Sequence, residues 1–178
     1  MSAIETLQQV YGAIADNSVS LEKSVTEPIL EGLGIAHASF VALSLQYQKH
    51  HFVVEGAEYY MLHEYFAESY EEVEKHAHDL GERLHGLGGV PALSFGKLSA
   101  LCCFEPESDD VFRCSLMVEH DLEAERSLIE LIRRQANQAE SLGDRATRYL
   151  YEQILLKTEE RVYHLEHFMT RDSLKLSR

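Results

Sequence analysis

Apolar residues recur at intervals of three to five positions along four long stretches of the chain, which is the spacing of one buried face of an α-helix. These stretches cover residues 26–54, 57–85, 110–140 and 145–169. Weaker periodicity predicts a further short helix over residues 3–15, packed on the outside. The pattern therefore predicts an all-α protein.

Residues that favour helix ends lie at the boundaries of these stretches. Thr26 is predicted to cap the first helix, and Gly56 separates the first helix from the second. Asp109 and Asp110 are predicted to cap the third helix, and Asp144 the fourth.

The connection between the second and third helices, residues 90–110, is long enough to cross from one end of a bundle to the other. Its segment SFGKLSALCCF predicts a short helix midway. Four long helices with two short turns and one crossover indicate a ferritin-like four-helix bundle. We expect this bundle to span residues 26–172, with an N-terminal extension of residues 1–25 and a C-terminal tail of residues 173–178.

The formal net charge is -14, from 30 acidic and 16 basic side chains. A field of this sign repels polyanions, and Lys23 is the only basic side chain among the first 25 residues. DNA binding is therefore expected to be unlikely.

The three cysteines cannot all pair within the chain, and the adjacent Cys102 and Cys103 are poorly placed for a disulfide. A reducing cytoplasm is therefore the expected location. The role of Cys102, Cys103 and Cys114 stays open. We expect no membrane span, and we expect no apolar segment to approach the roughly 20 residues that one requires.

The second helix carries a polar face beside its apolar one. Spacings of three and four residues place on this face His63, Ala67, Glu71, Glu74, His78 and Glu82. Histidine and carboxylate side chains on adjacent turns are able to bind a common metal ion. Of the ten histidines, His50 and His76 are expected to point away into solvent, and four are expected to be exposed or simply packed: His37, His85, His120 and His167.

Distance divides this polar face into two half-sites. His63 and His78 are 15 residues apart, or about 22 Å along a helix, so one metal ion cannot bind both in the same chain. His51 is expected to reach His63 across the turn at Gly56, which gives the first half-site. His78 and Glu82 form the second. Two chains packed antiparallel about a two-fold axis would bring a first half-site to a second one, twice.

Two motifs carry a family resemblance. The run HHFVVEGAEYYMLHEYFAESYEEVEKHAHDLGERLHGLGG and the later GDRATRYLYEQ resemble the Dps proteins, the DNA-protection-during-starvation branch of the ferritin superfamily. The similarity covers about residues 27–170. It implies a hollow dodecamer that oxidises Fe(II) with O2 or H2O2 at intersubunit ferroxidase sites and stores the Fe(III) mineral inside.

The resemblance assigns the family's two histidine ligands to His51 and His63, and its glutamate ligand to Glu82. Two carboxylates of the family pattern are replaced here, by Ala67 and by His78. Fewer carboxylates and one more imidazole favour Zn(II), Cu(II) or Fe(II) over harder cations. A zinc-occupied shell with a structural or zinc-buffering role is therefore the alternative to a ferroxidase.

Two further residues have open roles. His164 stands where the family has an apolar residue, and it is either an additional ligand that replaces the carboxylate missing at Ala67 or a core histidine bonded to a backbone carbonyl. Asp144 is either part of an acidic iron-entry pore or only a helix cap.

Overall fold

Residues 7–170 are described by the computed structural model, and they contain five helices and no strand. The helices are α1 (Lys23–Val53), α2 (Tyr59–Gly86), the short α3 (Phe95–Leu101), α4 (Cys114–Ser141) and α5 (Arg145–Phe168). The four long helices form a bundle, and α3 lies in the crossover between α2 and α4. The predicted fold class and the crossover helix are confirmed.

Two predicted helix starts are wrong. The first helix begins at Lys23, with Glu22 as its N-cap residue, so Thr26 lies inside the first turn and is buried. The helix α4 begins at Cys114 after Arg113, so the predicted caps Asp109 and Asp110 belong to the crossover.

The N-terminal segment is irregular, with a turn at residues 11–12, where a short helix was predicted. Residues 7–15 contain no helix, and residues 3–6 of that prediction lie outside the described part of the chain. Gln9 Nε2 and the Ala15 amide both donate hydrogen bonds to Gly88 O, at 2.8 and 2.9 Å. Gly88 has φ +91°, and a Cβ there would run into the Ala15 carbonyl. A glycine is therefore needed where this segment crosses the end of α2. The predicted tail at residues 173–178 also lies outside the described residues.

The core lies between the α1–α2 hairpin and the α4–α5 hairpin. The apolar stripe predicted for α2 is buried at Leu62, Phe66 and Leu80. On α1 the apolar spacing predicts a buried stripe from Ile29 through Tyr47 to Phe52. The stripe is buried from Ile29 to Tyr47, but Phe52 is 70% exposed. The packing of α1 on α2 therefore fixes which faces of both helices remain outside.

By length and composition alone, α1 resembles a membrane span, with a mean hydropathy of 1.4 over 18 residues. The expectation that no segment reaches such length and apolarity is therefore wrong. Half of that window is buried inside the bundle, where Leu33, Phe40 and Tyr47 are inaccessible. The apolar character of α1 is thus explained by its place in the core.

A buried ion pair crosses the bundle interior. Arg161 on α5 donates to both carboxylate oxygens of Glu125 on α4, from Nε at 2.5 Å and from Nη2 at 3.1 Å. Tyr47 donates its hydroxyl to the same carboxylate at 2.8 Å. Arg161 is 4% exposed and Glu125 is not exposed at all, so the guanidinium, and not water, balances the charge of the Glu125 carboxylate.

We predict that Arg161→Met destabilises the protein by about 3–5 kcal/mol, because it leaves the Glu125 carboxylate buried and unpaired. The double variant Arg161→Met/Glu125→Gln should recover much of this loss, since its neutral amide needs no counter-charge. Chemical denaturation at one protein concentration measures both. A double variant no more stable than the single one would contradict the pairing.

Candidate metal centre

The first half-site is built by two reciprocal hydrogen bonds between the end of α1 and the start of α2. His51 Nδ1 donates to His63 O, and His63 Nδ1 donates to His51 O, both at 2.9 Å. The two rings stack with their centroids 3.8 Å apart and their planes at 22°. Tyr59 stacks on the His63 ring with a centroid distance of 5.0 Å. The expected approach of His51 to His63 is present within one chain.

These hydrogen bonds determine which nitrogens can bind a metal. A carbonyl oxygen only accepts, so the hydrogen of each neutral ring lies on Nδ1. The Nε2 atoms of His51 and His63 then carry the free lone pairs. Metal-binding histidines commonly use this arrangement, in which a backbone carbonyl fixes the tautomer and the ring orientation.

The neighbouring His50 anchors this end of α1. It is fully buried, and its Nδ1 donates to Asp121 Oδ2 at 2.8 Å while its Nε2 lies 2.9 Å from Glu107 Oε1. Burial alone would lower the pKa of His50, but the carboxylates of Asp121 and Glu107 raise it above its usual value. The last turn of α1 is thereby held to α4 and to the crossover. The expectation that His50 points into solvent is wrong.

The second half-site lies on the outer face of α2, near its other end. His78 and Glu82 are one turn apart on this face, and both are exposed. Since α2 is one continuous helix from Tyr59 to Gly86, the separation of about 22 Å between His63 and His78 is retained. Within residues 7–170 of a single chain, no three His, Cys, Asp or Glu side chains gather into a metal site.

The other histidine expected in solvent, His76, is also buried, against the edge of Phe40. Burial is the main reason that the pKa of His76 falls to about 3, with smaller contributions from nearby cations such as Arg161. A ring with this pKa is neutral throughout the physiological range. His76 is therefore part of the bundle core and not of the outer face of α2.

Four histidines were expected to be exposed or simply packed, and His37 differs from the other three. His85 bonds to Gly89 O, His120 bonds to Glu107, and His167 bonds to Tyr163 O. The Nδ1 atom of His37 is buried and has no hydrogen-bond partner. Burial also lowers the pKa of His37, so its ring is neutral at neutral pH.

His164 does not join the first half-site. It is exposed on α5, and its ring meets the edge of Tyr65 at a centroid distance of 6.3 Å. There it borders a shallow pocket of about 190 Å³ together with Glu68, Glu72 and Glu160. The apolar, bundle-facing position expected for His164 is therefore wrong, and the argument for it as a replacement for the carboxylate missing at position 67 no longer holds.

Asp144 acts as the cap of α5. Its carboxylate accepts hydrogen bonds from the Thr147 amide at 3.0 Å and from Arg83 Nη2 at 2.7 Å. Burial alone would raise the pKa of Asp144, but the bonds from Thr147 and the Arg83 guanidinium bring it below its usual value. The side chain is buried and its charge is matched, so the structure shows the cap, and the pore alternative stays a prediction.

The buried charges were missed because they make contact only in the folded bundle. One signal was nevertheless present in α4. Asp121 and Glu125 occupy consecutive turns within its apolar stripe, between Val118 and Leu128. Carboxylates in such positions need buried partners, and these partners are His50 and Arg161.

The bundle with its crossover helix defines a ferritin-like protein, and residues 30–174 match the ferritin-like domain family. A nutrient stress-induced DNA-binding protein from Nostoc sp. is 64% identical over 176 residues, which cover 99% of this chain and 96% of the relative. A DNA protection during starvation protein from Halobacterium salinarum is 32% identical over 173 residues, or 97% of this chain and 93% of the relative. The crystal structure of an archaeal Dps homologue from the same organism has a TM-score of 0.91 at 30% identity, and the match covers 95% of this chain and 94% of that one. The chain therefore belongs to the Dps branch of the ferritin-like family.

We predict that Asp144→Ala destabilises the protein by about 1 kcal/mol or more, because α5 loses its cap and Arg83 loses its carboxylate partner. Asp144→Asn keeps a capping side chain and should lose less. Because folding lowers the pKa of Asp144, the ionised carboxylate stabilises the folded protein at pH values above the usual Asp range. This stabilisation is lost as the pH falls through the folded-state pKa.

Thermal melting of both variants at neutral and strongly acidic pH measures this. The deficit of Asp144→Ala should shrink in acid. Equal losses for the Ala and Asn variants, or a deficit independent of pH, would refute the assigned roles.

Proposed function

We propose that this protein is an iron-storage and detoxification ferroxidase, with its sites between subunits. The observation that carries the proposal is the reciprocal bonding of His51 and His63, which leaves both Nε2 lone pairs free on one outer face. Membership of the ferritin-like family supports iron as the substrate.

The placement of the half-sites supports a site shared by two chains. The first half-site offers two imidazoles, and the second offers His78 and Glu82, but about 22 Å of helix separates them. If two chains pack with their α2 helices antiparallel about a two-fold axis, their half-sites join into two equivalent sites. Among residues 7–170, the carboxylates inside the bundle are already paired. Glu125 and Glu72 are bound to Arg161, and Asp121 and Glu107 lie against His50.

In this mechanism, the side chains bind Fe(II) and keep it in place for the oxidant. His51 and His63 bind through Nε2, while His78 and Glu82 of the partner chain supply an imidazole and a carboxylate. Two Fe(II) ions provide both electrons that convert one H2O2 to two hydroxide ions, so no hydroxyl radical needs to form. O2 is the other candidate oxidant.

A zinc-occupied shell is the second candidate function. A joined site would contain three imidazoles and one carboxylate, because Ala67 and His78 replace carboxylates of the family pattern. Nitrogen-rich sets with one carboxylate suit Zn(II), which has no redox chemistry. In that case the site would serve structure or zinc buffering, and iron would be oxidised slowly.

We further propose that the chain assembles as a homododecamer in the cytoplasm. The three cysteines, Cys102, Cys103 and Cys114, are all free thiols, which agrees with a reducing compartment.

Fe(II) oxidation by the assembled protein tests the main proposal. We expect oxidation well above the uncatalysed background with O2 or H2O2. Glu82→Ala or His63→Ala should lower the rate by more than the roughly 10- to 100-fold that loss of a supporting residue costs. The control His167→Ala removes an exposed imidazole from α5 and should leave the rate unchanged. A rate equal to background in the unaltered protein would refute a ferroxidase.

Metal analysis and added Zn(II) separate the two candidates. Under the ferroxidase proposal, Zn(II) competes for the same side chains and inhibits iron oxidation. Tightly retained zinc in the purified protein, combined with iron oxidation at the background rate, would support the zinc-occupied shell.

DNA binding is a separate question, since one relative is named for it. We propose that this chain does not bind DNA, because its net charge is -14 and residues 1–22 contain no Lys or Arg. The mobility of duplex DNA in a gel should not change with added protein at about 0.15 M salt. A retarded band that disappears as salt increases would instead indicate phosphate contacts and contradict the proposal.

A further inference from the structure

His37 lies beside the second half-site, although it belongs to a different helix. It is on α1, and its ring packs against Gly81 of α2. Gly81 is three residues after His78 and directly before Glu82. His37 also precedes His51 by fourteen residues, which places the two on the same side of α1 to within about 40°. Each half-site therefore has a histidine of α1, with His51 at the first and His37 at the second.

The contact between His37 and Gly81 is close. A Cβ at position 81 would lie 3.3 Å from His37 Cδ2 and 3.4 Å from its Nε2. The ring therefore lies on the bare backbone of α2, with its Cδ2–Nε2 edge toward the turn that carries His78 and Glu82. Any larger residue at position 81 would crowd it.

The burial of Nδ1 determines what this edge can do. The Nδ1 atom has no partner, and a buried N–H without an acceptor costs more than a buried lone pair without a donor. The hydrogen of the neutral ring therefore lies on Nε2. His37 presents an N–H donor to the second half-site, and not a lone pair for a metal.

We infer that His37 is a positioning residue of the second half-site, which donates its Nε2–H to the Glu82 carboxylate and holds it for the metal. The inference rests on the proposed function, which makes Glu82 a ligand. Two carboxylates are near Gly81 in the sequence. Glu82 follows Gly81 directly, whereas Asp79 lies two residues before Gly81 and on the opposite side of the helix, so Glu82 is the acceptor for His37. In the single chain the Glu82 side chain is exposed. The hydrogen bond from His37 forms when the Glu82 carboxylate turns toward His78 to bind the metal.

Such a bond would compensate for what the half-site lacks. A carboxylate ligand is usually held by a hydrogen bond from a neighbouring side chain, and loss of that neighbour weakens metal binding by roughly 10- to 100-fold. With Ala67 and His78 in place of carboxylates, Glu82 is the only carboxylate left in the proposed ligand set. Its orientation then has an unusually large effect on affinity.

The test measures Zn(II) binding to the assembled protein by calorimetry, together with the KM and kcat of Fe(II) oxidation. His37→Leu should weaken Zn(II) binding by roughly tenfold or more and raise KM more than it lowers kcat. His37→Gln retains an N–H donor but is a poor metal ligand, and it should restore most of the affinity. His167→Leu is the matched control on α5. Size-exclusion chromatography and thermal melting check that assembly and stability are unchanged.

The outcomes distinguish the inference from the proposed function. If Glu82→Ala abolishes Zn(II) binding but His37→Leu does not weaken it, His37 has no such role and the metal site stands. If Leu and Gln at position 37 are equally damaging, His37 does not act as a hydrogen-bond donor and the inference is overturned. If Glu82→Ala also binds Zn(II) normally, the proposed site itself is wrong.

Discussion

The length of one helix constrains the whole site. Because α2 is continuous for 28 residues, the histidines at its two ends remain about 22 Å apart. Neither end alone provides a complete set of ligands. The proposed site is therefore divided into two halves on one outer face, and a two-fold partner is the simplest way to complete both.

The buried charges keep this face in position. His50 ties the last turn of α1 to Asp121 on α4 and to Glu107 in the crossover. Arg161 on α5 bonds to Glu72 of α2 as well as to Glu125 of α4. The two hairpins are thus joined by paired charges as well as by apolar packing. With His50 fixed toward the interior, the next residue, His51, bonds to His63 at the surface. The tautomers of the His51 and His63 rings are then set by backbone carbonyls, which accept hydrogen bonds at every pH.

Local patterns were sufficient for the four-helix fold and for the contact between His51 and His63. Apolar periodicity predicted all four long helices, and the turn at Gly56 predicted that His51 would approach His63. Side chains that find partners on distant helices could not be predicted in this way. Thus His50 was expected in solvent but is paired with Asp121, and His164 was expected in the interior but is exposed. The contact of His37 with Gly81 also joins two helices, and only the folded bundle reveals it.

The most direct test of the shared site combines two defective chains in one oligomer. One chain carries His63→Ala and the other His78→Ala, each with its own tag, and oligomers containing both are purified. If each site takes one half from each chain, random pairing leaves about a quarter of the sites intact, and Fe(II) oxidation returns to about that fraction of the unaltered rate. A mixed oligomer as inactive as the two separate variants would contradict a site shared between subunits.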